Sequence, residues 1–498
     1  MFAKARVHPF IFFGSSLFLW IFVLYTILWQ DSAKSLTDAL HSFITTHFSW
    51  WYILMVAATL IFCFVLMVSR LGDLKLGRDD DAPDFSFASW LSMLFSAGMG
   101  IGILFYAVAE PVTHYLNTPE SPGARFGEAG HALKVTFFHW GLHAWAIYVT
   151  VGLSLAYFTH RKGEPLSIRF ALRPLIGKMV DSKLGYCIDI LAVLGTLFGV
   201  ATSLGLGVIQ INSGLDHLYQ IGISTGIQIG LIVFVTLLAT ISVVSGVNKG
   251  IKLLSQFNIL VAILLVLFIF CIGPTVKILD LFVQNIGVYL QGLPNVTFHT
   301  SGRKDSTWMS SWTLFYWGWW MAWAPFVGMF IARISKGRTV REFIAAVLFV
   351  PSLFTFFWFT VFGETAIHLI EGGNQGIIEA VKTNLPVALF VFLEAMPLGS
   401  ITSGLAVIVI FTFFITSSDS GSFVIDMITS GGSLNPAPLQ KIYWALMEGL
   451  VAAVLLLAGG LQSLQIAAIC AALPFSVVIL LMMISLIKAM REEAPQRK

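Results

Sequence analysis

The chain has 498 residues, of which 57% are hydrophobic and 11% charged, against about 25% charge in an ordinary soluble chain, and this excludes a soluble globular enzyme. The formal net charge is +3, from 29 basic and 26 acidic residues, with no basic run long enough to form a nucleic-acid patch, which argues against nucleic acid as a partner. The expected class is an all-α polytopic membrane protein whose main environment is the lipid bilayer.

Apolar runs predict twelve spans, near residues 8–29, 49–69, 87–109, 132–158, 186–211, 226–246, 250–273, 308–334, 342–363, 400–428, 440–460 and 465–488. An even number puts both termini on one side. Placing them in the cytoplasm leaves 22 Lys and Arg inside and 7 outside, which satisfies the positive-inside rule. The first run, Pro9 to Trp29, is too long for a signal core and lacks a small-residue cleavage site, so it reads as a retained span. The tails, Met1 to Val7 and Lys488 to Lys498, are short, and no soluble regulatory domain is expected. Lys277 to Leu293 and Leu385 to Met396 are apolar but short and interrupted, as suits helices lying along the outer interface. Cys63, Cys187, Cys271 and Cys470 show no CxxC spacing and read as packing residues rather than disulfides or zinc ligands.

The third span carries Ser96-Ala-Gly-Met-Gly-Ile-Gly102. Gly98, Gly100 and Gly102 each weaken helix by up to about 1 kcal/mol relative to alanine. Two readings follow: backbone unwound at mid-membrane, tolerated where freed groups face a cavity or ion, or close helix contact through the Gly98–Gly102 GxxxG pair.

In the fourth span, Trp140, Trp145 and Tyr148 share one broad face at about 100° per residue. The eighth span reads Trp312-Thr-Leu-Phe-Tyr-Trp-Gly-Trp-Trp-Met-Ala-Trp323, with Trp312, Tyr316, Trp319 and Trp323 clustered and Trp320 flanking them. Tryptophan usually belongs at the headgroup level, yet Trp145, Tyr148, Trp320 and Trp323 fall near mid-span. Several indole faces there suit a quaternary ammonium group, which has no N–H to donate. The alternative is plain helix-helix packing. His139 and His143 have the i,i+4 spacing of a metal pair but lack the glutamate of an HExxH hydrolase, and no GxSxG elbow surrounds Ser420. No catalytic residue is expected.

In the tenth span, the adjacent hydroxyls of Thr416 and Ser417 either form part of a hard-cation site or bond back to their own helix. Asp189 and Asp419 are ionisable residues deep in apolar sequence, each with a functional or a structural hydrogen-bonding role.

Taken together, Gly98 to Gly102 continuing to Glu110-Pro111, Phe138 to Trp145, Trp312 through Arg338, and Thr416-Ser417 resemble the betaine/choline/carnitine transporter family over nearly the whole chain. The resemblance implies a leucine-transporter-like core of two inverted five-helix repeats after two extra spans. The units are then 1–86 (two peripheral spans and first cytoplasmic loop), 87–273 (first repeat), 274–307 (outer helix and loop), 308–488 (second repeat) and 489–498 (tail). It also implies a homotrimer and a substrate cage of Trp140, Trp145, Tyr148, Trp319, Trp320 and Trp323, with Met99 and its glycines beside it. A sodium site would use carbonyls of Ser96, Met99 and Phe413 with the hydroxyls of Thr416 and Ser417. A second ion site, matching Thr196 and Phe326, would lack its third ligand, because that position is Val200, whose side chain has no ligating atom.

Proton-coupled choline carriers of this family tend to place an acid where this chain has Gly102. Its absence favours a zwitterion such as glycine betaine over choline. The expectation is therefore a sodium-coupled onium importer of the bacterial inner membrane with no cofactor. A proton-coupled choline importer and a carnitine-type exchanger are the alternatives. The short C-terminal tail argues against tail-based osmotic activation.

Overall fold

With no water in the bilayer core, each span must satisfy its own backbone, and an all-helical chain is the solution open to this composition. The computed structural model describes residues 7–98, 100–116, 128–245, 248–300, 307–433 and 436–493. In chain order the helices are α1 (Pro9–Leu28), α2 (Gln30–Val68), α3 (Phe87–Gly98), α4 (Ile101–Leu116), α5 (Ala129–Trp140), α6 (Leu142–Ala156), α7 (Arg173–Ile176), α8 (Lys183–Tyr219), α9 (Thr225–Ser245), α10 (Asn248–Ile272), α11 (Thr275–Thr297), α12 (Thr307–Ser311), α13 (Thr313–Arg333), α14 (Val340–Glu371), α15 (Gln375–Thr383), α16 (Ala388–Glu394), α17 (Gly399–Thr429) and α18 (Pro438–Glu493). Among the described residues, extended pairing is confined to an isolated bridge between Lys75 and Thr339.

Among the described residues, nine helical stretches are long and apolar enough to cross a bilayer, Ala129–Arg161 counting as one. Three more crossings complete the expected twelve: α3 with α4, α13, and the second half of α18. That last helix reverses at Gly459-Gly460, where Gly460 has φ 61°, a conformation glycine adopts without steric cost. Both its ends lie at one face, since Gln440 Nε2 donates to Asp426 O at the end of α17 (3.1 Å) and Lys488 Nζ to Pro174 O of the short α7 before α8 (2.7 Å). On α9, Val233, Phe234, Leu237 and Ile241 are each more than half exposed. Such a stripe would drive a soluble protein to aggregate; here it faces lipid.

Three features differ from the expectation. Helix α2 starts at Gln30 rather than near residue 49, because no Gly or Pro interrupts 30–68 and hydropathy reports the lipid-embedded part rather than the helix. Cys187 and Cys271 are exposed, and of the four free cysteines only Cys63 is fully buried. The fourth span is broken at Gly141 (φ −100°, ψ −133°) between α5 and α6. A Cβ on Gly141 would lie 2.6 Å from Phe137 O and from Phe356 Cζ, and closer still to Phe356 Cε1, so only glycine fits there. The break frees two carbonyls: His139 O accepts from Trp320 Nε1 at 2.9 Å and Trp140 O from Thr355 Oγ1 at 3.2 Å.

Arg161 ties the last helix to the loop between α2 and α3. It donates to Lys75 O (3.1 Å) and Gly77 O (2.7 Å) and pairs with Glu493, which also accepts from Tyr157 Oη (2.6 Å) and Lys162 Nζ (2.9 Å). Burial pushes the Glu493 carboxyl up, but the hydrogen bonds from Arg161, Tyr157 and Lys162 outweigh it and hold it at about 2. A depressed carboxyl contributes stability that is complete above its unfolded value of about 4.3 and fades as pH falls through the folded one. Glu493→Gln is expected to lower Tm at pH 7 by about 1–3 °C. The gap should hold between pH 5 and 8 and narrow toward pH 2, as scanning fluorimetry in detergent would show.

Candidate functional site

The third span is interrupted where its glycines crowd: α3 ends at Gly98 and α4 begins at Ile101. Met99 lies outside the described residues, as do the side chains around Ser96 and Gly98. Gly100 and Gly102 are buried at the break. A Cβ on Gly100 would sit 3.3 Å from Trp323 Cη2 and 3.8 Å from Ser417 Oγ. One on Gly102 would sit 2.5 Å from Trp319 Cη2 and 3.0 Å from Trp140 Cη2. Gly100 is non-helical and both it and Gly102 are approached closely by rings of α5 and α13, whereas the surroundings of Gly98, the other half of the GxxxG pair, lie outside the described residues.

Around the break, Gly100, Gly102, Trp140, Trp145, Tyr148, Trp319, Trp320 and Trp323 line one cavity together with Ile103, Ala144 and Thr355. All six expected rings are therefore brought together. Trp319 and Trp320 stack at 4.9 Å and 11°, Trp140 meets Trp320 edge-on at 5.0 Å, and Trp145 meets Tyr148 at 5.5 Å. Trp323 meets Trp319 at 6.2 Å on one side and Phe326 at 5.4 Å on the other. Ring faces in this density attract a cation through their quadrupoles, by about 2 kcal/mol or more each when desolvated. Two donors of the wall, Tyr148 Oη and Trp323 Nε1, are buried without a protein acceptor.

Behind Trp140 lies a carboxylate whose role sequence reasoning missed. Glu110, fully buried, accepts from Trp140 Nε1 (2.7 Å) and from Tyr316 Oη on Oε2, while Oε1 meets His139 Nδ1 at 2.7 Å. His139 Nε2 meets Thr313 Oγ1 at 3.0 Å, and His114 Nε2 lies 3.5 Å from Glu110 Oε1. Glu110, His114 and His139 are close enough to hold an ion. The carboxylate oxygens are already taken by Trp140, Tyr316 and His139, so the group works as an anchor for the cage wall. His143 turns away to Thr297 Oγ1 at 2.8 Å, and the His139–His143 pair does not converge.

Of the hydroxyl pair, Thr416 Oγ1 bonds back to Thr412 O and Phe413 O at 3.2 Å each and receives Asn258 Nδ2 at 3.4 Å. Ser417 faces Gly100, so oxygen donors of α17 stand against the break in the third span. Thr196 Oγ1 is buried and unpartnered, one turn before Gly199, where a Cβ would lie 2.8 Å from Trp323 Cδ1. Asp189 is a structural clasp, accepting from Ser167 Oγ (2.7 Å) and Arg169 N (3.1 Å). Burial is as complete at Glu110, Asp426 and Glu448 as at Asp189, whereas Asp419 keeps 9% exposure. Those three acids sit in apolar runs of the sequence, and that signal could have found them.

The chain matches the betaine/carnitine/choline family transporters over residues 10–495. It belongs to that family. It is 46% identical to the glycine betaine transporter OpuD of Bacillus subtilis, over 96% of this chain and 93% of that one. It is 45% identical to glycine betaine transporter 1 of Vibrio parahaemolyticus, over 98% and 94%. An uncharacterized transporter of Mycobacterium tuberculosis is 49% identical over 98% and 83%. As a member of a betaine/carnitine/choline transporter family, the chain is a membrane transporter and not an enzyme.

Proposed function

We propose that this transporter imports a quaternary-ammonium zwitterion, glycine betaine first, by symport with sodium across the bacterial inner membrane. The observation that carries the reading is the single cavity walled by six aromatic rings of the fourth and eighth spans at the break of the third. The onium head exchanges water for ring faces. A carboxylate on the same molecule meets buried donors, Tyr148 Oη and Trp323 Nε1 among them, whose burial otherwise costs free energy. Gly102 supports the zwitterion, because Trp319 and Trp140 leave no room there for a counter-charge to choline.

Sodium is assigned to Thr416 and Ser417 with carbonyls of Ser96, Met99 and Phe413, beside the break, so that ion and substrate stabilise the same segment and each raises the other's affinity. Thr196 and Phe326 stand at the second position, where Val200 offers no ligand. The termini are placed in the cytoplasm on the charge count, the units 87–273 and 308–488 as the two repeats, and the assembly as a homotrimer, all on family resemblance and sequence.

The test is uptake of labelled glycine betaine and choline into proteoliposomes with a sodium gradient, a proton gradient or neither. Sodium-driven betaine uptake is expected. Uptake only against preloaded substrate would instead make the protein an exchanger. In the Thr416→Ala, Ser417→Ala double variant, sodium stimulation should fall at least about tenfold; stimulation equal to wild type would remove the ion from that place.

A further inference from the structure

A carboxyl on the eleventh span has no part in the cage or in the hydroxyl pair. Glu448, on α18, is fully buried. Its Oε2 accepts from Ser418 Oγ at 3.0 Å, and its Oε1 has no partner. Ser422 Oγ, one turn further along α17, faces the same carboxyl and is itself fully buried and unpartnered. A Cβ on Gly421 would lie 3.1 Å from Glu448 Oε1 and 2.9 Å from Val200 Cγ2. The carboxyl thus stands beside the valine that spoils the second ion position.

Among the described residues, the charged groups that face Glu448 are Asp426 and Asp419 of α17, both acidic. Lys441, two turns toward the cytoplasm on Glu448's own helix, acts on Asp419 and Asp426. The other flanking helices bring Val200 of α8 and, beside neighbouring Gly449, Thr236 of α9. Arg333 of α13 stacks on Phe423. A buried carboxylate without a cationic partner is too costly to persist in a membrane unless it takes up a cation. Asp426, fully buried with both oxygens unpartnered, is three residues from the cytoplasmic end of α17. Glu448, Ser422 and Asp426 therefore form a descending series of protonatable or proton-bridging groups from mid-membrane toward the cytoplasm.

We propose that Glu448 is a transported-proton site, loading one proton and discharging it to the cytoplasm along Ser422 and Asp426. It rests on the reading of the chain as an onium importer and adds a second coupling cation to it. The carboxylate becomes a neutral carboxylic acid on loading, when the α17–α18 contact beside Val200 is dry. It returns to carboxylate when the inner half opens and the proton passes to cytoplasmic water.

The test uses full-length protein in proteoliposomes containing a pH-sensitive dye, with labelled glycine betaine outside and equal sodium on both sides. Wild type should acidify the lumen in step with uptake. Glu448→Gln, which keeps the Ser418 bond and mimics the loaded acid, should still take up betaine while acidification falls to that of empty vesicles. Glu448→Asp should keep acidification, and Asp426→Asn should slow it. Acidification by Glu448→Gln in proportion to uptake, or betaine uptake by wild type with no proton movement, would overturn the proposal. Betaine-dependent quenching of tryptophan fluorescence serves as a separate readout. Its loss in wild type, for betaine and choline alike, would reject the onium reading itself; its retention in Glu448→Gln shows an intact site.

Discussion

Trp323→Leu is expected to weaken glycine betaine binding about thirtyfold or more while leaving the fold intact. The ring loses a desolvated cation-π contact of about 2 kcal/mol, which is roughly thirtyfold in affinity, and the N–H available to a carboxylate goes with it. The variant is clean because Trp323 Nε1 has no protein partner, so nothing is orphaned. Trp320→Leu would strip the His139 carbonyl at the Gly141 break of its donor and confuse the two effects. Titration of purified protein with betaine, alongside thermal unfolding, measures both quantities. Affinity equal to wild type with Tm unchanged would remove Trp323 from the cage.

The second large effect is expected at Glu110. In Glu110→Ala, the Trp140 N–H and the Tyr316 O–H lose their acceptor in a site with no access to water, at about 1–3 kcal/mol for each orphaned group. The expected outcome is a protein that unfolds many degrees early or does not accumulate. Glu110→Gln, with its oxygen in the Oε2 place, still accepts from both Trp140 and Tyr316 and turns its amide N–H toward His139 Nδ1, so the wall contacts stay but lose their charge. It should fold and bind betaine up to about tenfold more weakly, through a less firmly held Trp140. Wild-type affinity in the glutamine variant would mean that ring density alone holds the cage.

The crossings were legible because hydropathy and the bilayer share one length scale, and the cage because tryptophans such as Trp320 and Trp323 sit too deep for the headgroup region. The extension of α2 out to Gln30 was not, since a polar helix outside lipid leaves no hydropathic trace. The break at Gly141 was hidden for another reason. A lone glycine in an aromatic span tells nothing until Phe356, 215 positions later, comes to lie where its side chain would be. Glu110 stood in plain sight beside Pro111, yet its partners lie up to 206 residues away in the chain. Hydrogen bonds across such distances belong to the packed helices and not to local sequence.

One carboxylate gripping α4, α5 and α13 at once makes those three helices a single block. When the site changes its exposure from one face of the membrane to the other, the block must travel whole, and the slip plane falls elsewhere. The face between α13 and α8 suits it: Gly195 and Gly199 present bare backbone to Ala322, whose atoms lie 3.6 Å and 3.2 Å from where their Cβ atoms would be. With no side chain on Gly195 or Gly199 to interlock, α8 offers little steric resistance beyond the Trp323 edge packed on Gly199, and the Trp319 Nε1 to Ser203 Oγ bond of 3.1 Å is a latch that such sliding has to release. The residue that shapes the binding wall also decides which parts of the machine are rigid.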